Sequence, residues 1–84
     1  MEKITHFLEL PPEIIYNLPK VTLLGNLQVL IENHRGIIEY STGKVRIAVN
    51  TGEIEVLGQE LIICNITRDG ICLEGDISGL KYHR

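Results

Sequence analysis

The sequence predicts an all-β fold: a small antiparallel β-sandwich built from consecutive hairpins, with a short helical turn at its N-terminus. Three observations predict it. The apolar set holds 13 Ile, 5 Val and 11 Leu but a single alanine, Ala48. β-Branched side chains are stiff at χ1 and suit a pleated surface, while an alanine-poor chain is a poor helix former. The glycines all fall from Gly25 onward, where they punctuate short apolar runs, and the prolines are confined to Pro11, Pro12 and Pro19. Apolar runs begin near Val21, Ile37, Ile54 and Ile71, a recurrence of about 17 residues, or one hairpin. The recurrence also fits a second architecture, a short β-solenoid-like stack.

The chain has 84 residues, one domain's worth. It divides into an N-terminal segment, residues 1–20, and a β core, residues 21–82. Pro11-Pro12-Glu13 can open a helix, because Pro is tolerated in a first turn and Glu suits its positive end. Ile14, Ile15 and Leu18 then share one face, and Pro19 stops the run. One or two helical turns are expected over residues 12–18.

The centre of the chain predicts its own register. Two-residue loops at Thr42-Gly43, Thr51-Gly52 and Gly58-Gln59 pair Tyr40 with Val45, Ile38 with Ile47, and Val49 with Ile54. They also pair Ile47 with Val56, Val56 with Leu61 and Ile54 with Ile63. One face is then wholly apolar: Ile38, Tyr40, Val45, Ile47, Val49, Ile54, Val56, Leu61 and Ile63. The other sets Glu39 against Arg46 and Ser41 against Lys44. This agreement favours an antiparallel meander over a solenoid. Covering hairpins are expected at Val21–Ile31 around Gly25-Asn26 and at Ile71–Tyr82 around Gly75-Asp76. Asp69-Gly70 closes the link between Ile66 and Ile71, with Gly70 in the left-handed region.

The outer face of this meander is not uniformly polar. Ile37, Ala48 and Ile62 line up across it, with Leu57, Cys64 and Ile66 nearby. Either the N-terminal segment covers the strip of Ile37, Leu57, Ile62 and Ile66, or it meets a protein partner or a second copy of the chain.

Chemistry-bearing patterns are few. Asn33, His34 and Arg35, in the run Glu32-Asn33-His34-Arg35-Gly36, suit either a plain turn or the site of a small-ligand or anion-binding β domain, the alternative function. Glu53, Glu55, Glu60 and Glu74 read as a solvated face. No phosphate-cradling, nucleophile-elbow or metalloprotease pattern is present, so no catalytic residue, metal or cofactor is assigned and no enzyme is expected. Cys64 and Cys72 read as small buried hydrophobes in strands, with an oxidation sensor as the weaker alternative. A net charge of −3 and only four aromatic residues disfavour nucleic acid as a partner. No signal peptide or apolar span is evident, which points to the cytosol.

The chain also carries a resemblance. Leu10-Pro11-Pro12-Glu13, Asn17-Leu18-Pro19, Thr22, Gly25 and the run Ile31-Glu32-Asn33-His34-Arg35-Gly36 resemble the YqfC branch of the YabP/YqfC sporulation proteins. Gly52-Glu53-Ile54-Glu55-Val56-Leu57-Gly58 and Gly70-Ile71-Cys72-Leu73-Glu74-Gly75-Asp76-Ile77, ending in Leu80-Lys81-Tyr82, are similar to the wider family. The resemblance implies a non-enzymatic protein of endospore formers, made in the cytoplasm of the mother cell. It implies a binding or scaffold role in spore envelope or cortex development, alongside an integral membrane sporulation protein and peripheral to the forespore membrane.

Overall fold

The computed structural model describes residues 17–84. Six strands follow in order: β1 (Lys20–Leu24), β2 (Gln28–Glu32), β3 (His34–Tyr40), β4 (Lys44–Val49), β5 (Gly52–Ile66) and β6 (Gly70–His83). They form one antiparallel sheet in the order β1-β2-β6-β5-β4-β3. The all-β expectation holds. The antiparallel pairing rules out the solenoid stack, and the hydrogen bonding joins all six strands in one sheet. The helical turn expected over residues 12–18 lies, up to residue 16, outside the described residues, and Asn17 and Leu18 are not helical.

Local chemistry explains the connections. Gly25 at φ 54° opens the β1–β2 loop, which the Leu27 amide closes by donating to the Leu24 carbonyl at 3.1 Å. Thr42-Gly43 forms the β3–β4 loop as expected. The Ser41 amide donates to the Lys44 carbonyl at 2.8 Å, and the Ser41 hydroxyl accepts from the Lys44 amide at 3.0 Å. The β4–β5 loop falls on Asn50-Thr51 rather than Thr51-Gly52, so Val49 meets Gly52 and Ile47 meets Ile54. The expected register is therefore off by two residues. A slip of two leaves every side chain on its expected face, whereas a slip of one would have reversed them all.

Two expected hairpins fail for one reason. No hairpin forms at Gly58-Gln59 or at Gly75-Asp76; β5 and β6 run through both places as long paired strands. Register shifts near Gly58, between Gln59 and Ile62, and between Ile63 and Asn65 bend the pair instead. Gly75 at φ 145° and Glu60 at φ 54° absorb the bend. Gly70 is not in the left-handed region. The turn before it is held by Thr67, whose amide donates to the Gly70 carbonyl at 2.8 Å and whose hydroxyl accepts from the Gly70 amide at 3.0 Å.

The bend lets the sheet coil around one core. Val29 and Ile31 of β2 share a buried cluster with Val45, Ile47 and Val49 of β4, although β2 and β4 are not neighbours in the sheet. Ile54, Val56, Leu61, Ile71, Leu73 and Ile77 complete it. A bulge in β3 between Ile37 and Glu39 pairs Ile37 with Ile47, so Ile37 packs against the core and Ile38 is exposed, the reverse of the expectation. Tyr40, expected in the core, is half exposed, and its hydroxyl donates to the Leu61 carbonyl at 2.7 Å.

Candidate functional site

The Asn33-His34-Arg35-Gly36 run links β2 to β3, strands far apart in the sheet. Asn33 adopts φ 66°, a conformation in which Asn is comfortable. Its amide donates to the Asp69 carbonyl at 2.8 Å, and its side-chain amide donates to the Leu18 carbonyl at 2.8 Å. His34 accepts from the Gly36 amide through Nδ1 at 3.0 Å. Nδ1 therefore carries no proton in this arrangement, and Nε2–H donates to the Thr67 carbonyl at 2.9 Å. Asn33 and His34 thus tie the segment before β1, the β2–β3 link and the β5–β6 turn together. Of the three residues singled out in this turn, Asn33 and His34 have hydrogen-bonded side chains, and the Arg35 side chain makes neither a hydrogen bond nor an ion pair among the described residues.

A polar cavity of about 410 Å³ lies beside the turn, lined by Glu32, Asn33, His34, Arg35, Arg68 and Asp69. Arg68 is a residue that sequence reading missed, because only the fold brings the β5–β6 turn to the β2–β3 link. Two guanidiniums suit an anion, but the carboxylates of Glu32 and Asp69 line the same cavity and cancel their formal charge. His34 has both ring nitrogens engaged. The arrangement is a poor anion trap.

The outward faces of the two halves of the sheet differ in kind. Across β3, β4 and the paired early half of β5 and late half of β6, the outward row runs Glu39, Arg46, Glu55, Lys81. Arg46 makes a two-pronged pair with Glu53 at 2.6 and 2.7 Å and reaches Glu39 at 3.1 Å, while His83 lies 3.3 Å from Glu55. The Arg46 guanidinium holds the Glu53 carboxyl below its ordinary range, and Glu53 in turn raises the pKa of Arg46. This face is a ladder of opposite charges.

Across β1, β2 and the other halves of β6 and β5 the outward rows are different. One runs Leu24, Gln28, Glu74, Ile62; the next runs Thr22, Leu30, Cys72, Asn65. Leu24 is 64% exposed, Ile62 51% and Leu30 36%, and Leu27 in the adjoining loop is 64% exposed. Polar side chains are interleaved with them: Gln28 and Glu74 stand in the first row, where the Gln28 side-chain amide donates to Glu74 at 3.2 Å, and Thr22 and Asn65 stand in the second.

The expected strip of Ile37, Leu57, Ile62 and Ile66 therefore does not exist as one surface. Ile37 turns inward at the β3 bulge. Ile66 lies opposite Ile71, on the core side at an open end, because the bulge between Ile63 and Asn65 reverses the strand's faces. Leu57 is half-buried on the charged half, opposite Gly79. Ile62 alone sits on the apolar half, joined there by Leu24, Leu27 and Leu30.

The cysteines occupy neighbouring strands. Cys64 is exposed, and its thiol donates to the Cys72 carbonyl at 3.2 Å. Burial, together with Cys64, pushes the Cys72 thiol up to about 11, which leaves it protonated and unreactive near neutrality. Cys64 departs from the expectation of a buried residue. Among the described residues no group of three or more His, Cys, Asp or Glu is placed to hold a metal ion, and no helix is long and apolar enough to cross a membrane.

Comparison with known proteins gives two matches. A family model described as the YabP family matches residues 17–84. A protein of Bacillus subtilis (strain 168), described as uncharacterized protein YqfC, is 37% identical over 79 residues, covering 94% of this chain and 85% of the relative. No solved structure matches.

Proposed function

The chain belongs to the YabP family, and on that footing we propose that it is a non-enzymatic sporulation protein, a small binding module that docks a protein partner on the apolar outer face. The partner is an integral membrane sporulation protein, met at the forespore membrane from the mother-cell cytoplasm during envelope or cortex development. The observation that carries the docking is the contrast between the two halves of the sheet. One outward face is a charged ladder of the kind that water solvates well. The other exposes Leu24, Leu27, Leu30 and Ile62, set around the Gln28–Glu74 pair. Exposed apolar residues gathered in one region mark an interaction surface, while scattered ones do not.

Photo-cross-linking in sporulating cells tests this reading. A cross-linking residue placed at Leu30 or Ile62 is expected to capture a membrane protein that one placed at Lys81 does not. Capture that is equal at all three positions, or absent from the first two, overturns it.

A further inference from the structure

The two edges of the sheet are built differently. The β3 edge is blunted: its register shifts twice, between His34 and Gly36 and between Ile37 and Glu39, and Arg35 and Glu39 punctuate it. Such bulges and charges are the devices that keep an edge from pairing with another chain. The β1 edge carries no bulge. All five of its residues pair in unbroken register with β2, from Lys20 with Glu32 to Leu24 with Gln28. All five are exposed, and among the described residues no strand lies on the other side of β1. Its one charge, Lys20, stands at the end of the strand.

We propose that β1 pairs with the β1 of a second copy of this chain, antiparallel about a two-fold axis at Thr22, joining the two sheets edge to edge. The strand is self-complementary in that register. Thr22 meets Thr22 of the second copy, a favourable cross-strand pair. Val21 meets Leu23 on the core-side face, apolar against apolar. Lys20 meets Leu24, so no like charges are opposed. A two-fold contact of this kind is closed and stops at a dimer. The site is an edge and not the apolar face proposed for the partner, so either reading can fail without the other.

The axis gives a paired test on the full chain. Light scattering after size-exclusion chromatography is expected to give twice the chain mass for the parent. Thr22→Lys, an exposed change that sets two ammonium groups opposite each other, is expected to halve that mass while the melting temperature of the monomer shows it folded. Thr22→Cys is expected to join two copies through a short thiol-to-thiol cross-linker, with peptide mapping placing the link at position 22 on both. A parent of single-chain mass at every concentration overturns the proposal. So does a dimer that survives Thr22→Lys, or one in which position 22 never links.

Discussion

Glu60 and Gly75 face each other where β5 and β6 bend, and each holds a left-handed backbone angle, φ 54° and φ 145°. Gln59 pairs with Asp76 and Ile62 with Glu74, so Glu60 and Leu61 together oppose the single residue Gly75. That two-against-one count is a bulge, and it returns Leu61 to the core after Val56.

A side chain at Gly75 has no room. A Cβ there would stand 2.8 Å from the Glu60 carbonyl oxygen and 3.0 Å from the Leu61 Cα, both main-chain atoms that cannot step aside alone. Gly75→Ala is expected to destabilise by about 1–3 kcal/mol in denaturant unfolding, from the strained φ and the crowding together. Gly79→Ala is the control. Its Cβ would meet only the Leu57 side chain, at 3.8 Å, so stability should hold or rise by up to about 1 kcal/mol. Equal effects would show that the bend does not depend on Gly75.

The turn at residues 33–36 divides its labour between folding and surface. His34→Ala removes the bonds to the Thr67 carbonyl and the Gly36 amide, each worth about 0.5–1.5 kcal/mol. Arg35→Ala removes no ion pair among the described residues and is expected to stay within about 0.5 kcal/mol of the parent. Thermal melts of the two variants should separate clearly, with His34→Ala the lower.

Glu53 gives the charged ladder a pH dependence. Its carboxyl titrates below the ordinary range because the Arg46 guanidinium bonds it. A group whose folded pKa is lowered adds stability above its unfolded pKa and loses it as pH falls through the folded one. Unfolding midpoints should therefore fall as pH drops below about 4. Glu53→Gln should flatten part of that fall, and salt should weaken the effect, because the pair is only partly buried. An acid limb identical in Glu53→Gln would remove the pair from the account.

What could be read from the chain followed its periodicity. Alternation in residues 44–56 specified the inward face correctly, and the two-residue register error left that face intact. The bulges were invisible, because nothing in Ile37-Ile38-Glu39 or Ile63-Cys64-Asn65 marks where an extra residue enters a strand. Gly58 and Gly75 were legible as breaks but not as bends, since a glycine before a polar residue suits a hairpin loop equally well. The candidate site suffered most. A strip predicted from alternation is scrambled by any bulge along it, and Arg68 reaches Arg35 only through the order of strands in the finished sheet.

Ile37 and Ile62, placed on one strip by alternation, lie on opposite faces, and a charge at each should separate folding from docking. Ile37 packs against the core beside Ile47, so Ile37→Lys must desolvate an unpaired ammonium or tear the β3 bulge open. A loss of about 2 kcal/mol or more is expected in denaturant unfolding. Ile62 is 51% exposed on the apolar outer face. Ile62→Lys leaves its charge in water in the free protein, and stability should change by less than about 0.5 kcal/mol. In a docked complex the same ammonium would be buried without a partner, so capture of the membrane protein should be lost while the melt is unchanged. If Ile62→Lys instead unfolds the chain, the outer face is covered from within the molecule, and the N-terminal segment with Ile14 and Ile15 becomes its cover. A variant that stays folded and still captures its partner would place the docking surface elsewhere.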